Sequence, residues 1–130
     1  MMQIAVLALL ALGSATSTER DLTPALEGSW GGPRAQLMVG TLDADVQVDC
    51  SEGTIYGPYM VKKDGSFAWS GRFSRERETL GRPEQNEVDA TYEGQIRGGN
   101  LTFEVKIDGG RALGPYTVQR FKDADLPECN

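Results

Sequence analysis

Apolar and polar residues alternate through most of the chain, and the alternation is broken at short intervals by Gly, Asp and Asn. A two-residue period between turn residues predicts strands with one buried face, joined by tight connections. Ala35, Leu37 and Val39 alternate with Gln36 and Met38, and Ala44, Val46, Val48 and Cys50 oppose Asp45, Gln47 and Asp49. A turn through Ser51, Glu52 and Gly53 then leads into a strand over 54–62, in which Gly57-Pro58 marks a bulge, bend or edge, since proline cannot donate to a ladder. Lys63-Asp64-Gly65 predicts a tight hairpin. Beyond it Phe67, Trp69, Gly71 and Phe73 share the face best suited to a core.

The second half repeats the pattern. Val88, Ala90, Tyr92, Gly94 and Ile96 alternate with polar residues up to a Gly98-Gly99-Asn100 turn. Leu101, Phe103, Val105 and Ile107 follow, and Asp108-Gly109-Gly110 turns the chain again. The last strand carries Leu113, Tyr116, Val118 and Phe121, with a change of phase at Gly114-Pro115. Leu22 to Glu27 predicts an irregular lead-in or one helical turn, and an eighth strand fits around Trp30.

Seven to eight short strands, each apolar on one face, bury those faces by closing into a barrel or by stacking as two sheets. Short connections favour an all-β, antiparallel up-and-down meander closing into a small β-barrel. A β-sandwich is the alternative, and it needs a long crossover that only the polar stretch Ser74 to Glu87 could supply. That stretch is also a candidate binding loop, because long loops on a rigid scaffold are where recognition surfaces are placed. Extension of the strand into solvent explains it equally well. Gly57-Pro58-Tyr59-Met60-Val61 and Gly114-Pro115-Tyr116-Thr117-Val118 resemble each other. In both, glycine permits a bend, proline fixes it, and tyrosine returns to the core with its hydroxyl near the rim.

At 130 residues the chain fits one domain. Its first seventeen residues read differently from the rest. Ile4 to Leu12 is an unbroken apolar run, followed by the small residues Gly13, Ser14 and Ala15. This is the pattern of a secretory signal, too short to span a bilayer. Residues 1–17 are therefore expected to be a signal peptide, cut after Ala15 or Ser17, with 18–130 a single barrel domain in the periplasm or outside the cell. No Lys or Arg precedes the run, which leaves a buried N-terminal strand or short helix as the other reading. With no cysteine at the junction, no lipid anchor is expected.

Export changes the reading of Cys50 and Cys129, the two cysteines present. In an oxidising compartment they predict one structural disulfide, worth about 4 kcal/mol in the chain-entropy model. A redox-active pair is the weaker reading, because redox dithiols usually stand close in sequence.

Composition mostly excludes. There is no histidine, which removes Ser-His-Asp and Cys-His catalysis and His-ligated metals. A net charge of −6 with scattered Lys and Arg argues against nucleic acid and anionic lipid. Asp45, Asp49 and Glu52 lie on or near one strand face, and a carboxylate pair about 6 to 7 Å apart, the separation of two positions along a strand, falls within the range some glycosidases use. A solvated strand face explains them without catalysis. Asp64-Gly65 and Asp108-Gly109 lack the remaining ligands of a calcium loop, so no metal or cofactor is expected. Asn100-Leu101-Thr102 matches the N-glycosylation sequon.

Gly28-Ser29-Trp30 ahead of a β-meander resembles the Gly-x-Trp opening of lipocalin and avidin-like barrels. That resemblance implies a tryptophan plugging one end and a small apolar ligand in the other. Small periplasmic inhibitors of proteases and lysozymes are similar in size, leader and single disulfide. Gly28-Ser29-Trp30-Gly31-Gly32, Asp49-Cys50-x-x-Gly53-x-Ile55-x-Gly57-Pro58, Asp64-Gly65-x-Phe67, Tyr92-x-Gly94 and Leu113-Gly114-Pro115 also resemble a set of small exported bacterial β-proteins. That likeness implies a shared fold and the late cysteine and brings no activity with it.

These readings converge on a non-enzymatic, monomeric exported protein that binds a small molecule at the barrel mouth. The alternative is a periplasmic inhibitor of a protease or lysozyme, acting through the 74–87 loop on an exported hydrolase. The candidate binding surface comprises Trp30, Tyr56, Tyr59, Arg75, Arg77, Arg82 and Tyr116.

Overall fold

The computed structural model describes residues 19–74 and 87–129. In chain order these form β1 (Glu19–Asp21), α1 (Thr23–Leu26), β2 (Gly28–Gly32), β3 (Ala35–Val39), β4 (Asp43–Val48), β5 (Ser51–Tyr56), β6 (Met60–Lys62), β7 (Ser66–Ser74), β8 (Glu87–Arg97), β9 (Asn100–Ile107) and β10 (Arg111–Arg120). Eight strands close a barrel in the order β10-β2-β3-β4-β5-β7-β8-β9. Each pairs antiparallel with its neighbours, so the meander is up-and-down and the sandwich is set aside. The expected signal peptide, residues 1–17, and most of the 74–87 loop lie outside the described residues.

Period-two patterning decides what is inside. Ala44, Val46 and Val48 of β4, Phe67, Trp69 and Phe73 of β7, and Leu101, Phe103, Val105 and Ile107 of β9 are all buried. Register follows from the same pattern, because a slip by one residue would turn every one of these side chains outward.

Four local expectations are corrected. Positions 54–62 do not form one strand: the chain breaks at Gly57-Pro58, leaves the barrel as β6, and pairs there with β1 through Glu19↔Lys62, Arg20↔Val61 and Asp21↔Met60. The turn before β5 falls at Asp49-Cys50 rather than at 51–53, with Asp49 at φ 53° and Ser51 already paired with Val48. Phe121 is 74% exposed, because β10 ends at Arg120 and the chain turns there. Val88, near the start of β8, is exposed although its phase points inward. The change of phase in β10 is present as a register shift between Leu113 and Tyr116, and both Gly-Pro bonds are cis.

Closure of the barrel is uneven. β7 and β8 pair from Ser66↔Gln95 to Ser74↔Glu87, whereas β10 meets β2 only at Gln119↔Gly31 and Arg120↔Trp30. The C-terminal tail reinforces this seam. Arg34 N–H donates to the Asp125 carbonyl at 2.8 Å, Asp125 N–H donates to the Gly32 carbonyl at 3.0 Å, and Cys129 is bonded to Cys50 in the β4–β5 turn. Gly31 lets the tail cross this closely, since a Cβ there would run into the backbone of Lys122 and Ala124.

Candidate functional site

A barrel can bind within its ends or on its outer wall, and the two differ sharply here. At the end where α1 sits, the Trp30 indole is buried and its Nε1–H donates to the Leu26 carbonyl at 2.9 Å. The Arg120 guanidinium lies over the Trp30 ring, 4.9 Å from its centroid, and donates to the carbonyls of Glu27 and Ala25. Tyr59 follows Gly57-Pro58 back into the core, meets Trp69 edge-on at 5.5 Å, and donates its hydroxyl to the Gly40 carbonyl at 2.9 Å. Phe67 stacks on Trp69, whose Nε1–H donates to the Met60 carbonyl. Burial pushes the Tyr59 phenol up to about 12, with the nearby carboxylates of Asp43 and Glu27 adding to it.

The opposite end is closed by a charged clasp. Arg34 grips Asp49 with two N–H donors, each 2.7 Å from a carboxylate oxygen, and Tyr116 donates its hydroxyl to the same carboxylate at 3.2 Å. The Arg34 hydrogen bond holds the Asp49 carboxyl below its ordinary range. Burial, with Asp49 beside it, pushes the Tyr116 phenol up to about 12. Between the two ends Tyr92, Phe73, Phe103, Leu37 and Ile55 fill the interior, and the Tyr92 hydroxyl donates to the Arg72 carbonyl at 2.7 Å. Among the described residues no buried side-chain nitrogen or oxygen lacks a hydrogen-bond partner. The barrel is filled by its own side chains.

This packing redistributes the sequence-predicted site. Trp30, Tyr59 and Tyr116 are core residues, the first two at one end and the third at the other, with their polar atoms already hydrogen-bonded. Burial removes them from any surface a partner could touch. Tyr56 is 49% exposed, on the outer wall opposite Asp43. Arg75, Arg77 and Arg82 lie outside the described residues. The structure therefore does not bring Trp30, Tyr56, Tyr59 and Tyr116 together. Of the three carboxylates weighed for hydrolysis, Asp49 is engaged by Arg34, Asp45 pairs with Thr54, and Glu52 pairs with Gln47. Among the described residues no three His, Cys, Asp or Glu side chains converge as a metal site.

The wall offers more room. A groove of about 940 Å³ lies on the outer face of β7, β8 and β9, walled on one side by Glu19 and Lys62 of the β1–β6 ribbon and on another by Pro115. Across its floor the outward rows read Ala68, Glu93, Glu104 and Ser66, Gln95, Thr102, the second row continuing to Thr117 of β10. Lys106 Nζ lies 3.4 Å from Glu93, and Thr102 and Thr117 share a hydrogen bond of 2.9 Å. A second groove of about 550 Å³ places Tyr56 beside Ser70, Thr91 and Lys106. Sequence reasoning passed over Glu93 and Glu104. Their signal was the two-residue turn Gly98-Gly99: counting back from the Arg97–Asn100 pair that closes it sets the two glutamates opposite each other.

No helix among the described residues is long and apolar enough to cross a membrane. Compared with known proteins, the chain matches no protein-family model, no curated protein and no solved structure.

Proposed function

We propose that the protein is a non-enzymatic exported binding module that engages a macromolecular partner through the outside of a filled barrel. The observation that carries this reading is the packed interior: Tyr92, Phe73, Phe103, Tyr59 and Leu37 occupy the space in which a small-molecule carrier would hold its cargo. Cavity-forming barrels of this strand number leave room for one ligand only when side chains do not fill them. Export is supported by the leader-like residues 1–17 and by the Cys50–Cys129 bond, since such bonds persist in oxidising compartments. Inhibition of an exported hydrolase is one form that such binding can take.

The test is photocrosslinking in the natural compartment from outward positions on two walls, Ala68 on β7 and the neighbouring Asp45 and Tyr56 on β4 and β5, each replaced in turn by a light-activated residue. A discrete protein adduct from one wall and not the other is the expected result. Uncrosslinked monomer from all three, together with a small molecule that copurifies stoichiometrically, would overturn it.

A further inference from the structure

We infer that the C-terminal tail, residues 121–129, is an exchangeable arm, and that two copies of the chain pair by docking each tail across β2 of the other, with Cys129 of each bonded to Cys50 of the other.

The hinge is Phe121. β10 ends at Arg120, and the chain reverses through Phe121 at φ 61°. Left-handed backbone crowds the Cβ against the following carbonyl, so a bulky residue there is strained where glycine would not be. Burial does not offset this strain, because the ring is exposed and faces only the Arg120 guanidinium, 5.4 Å from its centroid. Straightening the hinge returns Phe121 to extended backbone. It also lengthens the barrel's least-paired join: counting on from Gln119↔Gly31 and Arg120↔Trp30 sets Phe121 against Ser29 and Lys122 against Gly28. The Phe121 N–H already donates to the Ser29 carbonyl at 2.8 Å, which is the first bond of that extension.

Little ties the arm to its own barrel. Ala124, Leu126 and Cys129 are half-buried, and the rest of residues 121–128 are exposed. Its attachment is a backbone slot and one covalent bond. Asp125 is bridged parallel to Pro33, exchanging hydrogen bonds with the Gly32 carbonyl and the Arg34 N–H, and Cys129 reaches Cys50. An identical chain can make every one of these contacts, which is the condition for exchange, and a strained hinge promotes it. The choice is made at oxidation. A disulfide oxidant such as oxidised glutathione takes two electrons and two protons from each Cys50 and Cys129 thiol pair and leaves as two thiols, whether the pair lies within one chain or across two. Tethering favours the closed monomer in dilute solution, and hinge strain favours the exchanged pair as concentration rises.

The test is reoxidation of the reduced exported protein, unlabelled and 15N-labelled chains mixed equally, in a glutathione redox buffer at about 1 μM to about 1 mM chain, a range that brackets the effective concentration of a tethered segment. Light scattering and non-reducing peptide mapping read the outcome. A dimer fraction that rises with concentration is expected, with Cys50 peptides of one isotope joined to Cys129 peptides of the other. Phe121→Gly removes the hinge strain and should raise the concentration of half-dimerisation at least about tenfold. Phe121→Val, β-branched and worse suited to the left-handed region, should lower it. Monomer at every concentration, dimers whose disulfides all lie within one chain, or a dimer fraction indifferent to both substitutions would overturn the exchange.

Discussion

Trp30 combines the two kinds of interaction that close one end of the barrel: an apolar body packed on Leu26 and a single N–H donated to that residue's carbonyl. Trp30→Phe keeps most of the body and leaves the carbonyl unpaired, so it should cost roughly 1–3 kcal/mol. Trp30→Ala also opens a cavity and should cost roughly 3–5 kcal/mol. Urea denaturation followed by the fluorescence of Trp69, the other tryptophan, measures both. Equal costs for the two variants would show that the hydrogen bond contributes and the packing does not.

Titration is a residue-scale property too, and its sign differs at the two ends of the pH range. Asp49 is held low first by Arg34, Asp21 first by the Thr23 hydroxyl, and Asp64 first by the Ser66 hydroxyl. Their folded values lie below the unfolded value of about 3.9, so their stabilisation is complete above that pH and lost as pH falls through the folded values. Tyr59 and Tyr116 are raised to about 12 by burial, and Tyr92, the most buried phenol, is raised as well. Their contribution is complete below the unfolded value of about 10 and lost as pH climbs toward 12. With no histidine to titrate between, thermal melts should show a stability plateau from about pH 5 to about pH 9, falling on both sides. A steep slope inside that window would contradict these assignments.

Among the elements, the β2–β10 seam is the weakest join of the barrel and the tail is its brace. Two register pairs hold β10 to β2, and the Cys50–Cys129 bond, spanning 79 residues, anchors the strap that crosses Gly31 and Gly32. Replacing both cysteines by serine should cost about 4 kcal/mol in the chain-entropy model. Native-state hydrogen exchange should show lower protection throughout, with β2, the end of β10 and the tail losing more than β7, β8 and β9. Uniform deprotection would mean that the bond acts on the unfolded chain alone.

Much of this element order was legible beforehand, and the exceptions have physical causes. Val46, Trp69 and Val105 announced their strands because one face is buried and the other is wet, which is what a period of two encodes. The excursion at β6 was not legible: three residues are too few to show a period, and their partner β1 lies far away in sequence. Proline at 58 marked where the strand fails without saying where the chain goes next. Phe121 was misplaced because an aromatic residue after a strand carries no sign of whether the strand has ended.

For the molecule as a whole, the harder question was which surface is available. Trp30, Tyr59 and Tyr116 read as a binding set because aromatics beside Gly and Pro suit a rim, yet closure of the barrel turns all three inward. Exposure is a property of the closed sheet, and no local pattern contains it. The like-charge pair on the wall depends only on hairpin register, and so was available from the sequence to a reader who counted from the turn.

A barrel filled by its own side chains leaves the outer wall as the proposed binding surface. Native mass spectrometry on the protein purified gently from its own host, compared with the same sample denatured, separates a filled barrel from one that carries a ligand. The expected result is the same bare polypeptide mass under both conditions, apart from any protein partner retained on the wall. A discrete small-molecule mass that leaves only on denaturation would contradict it.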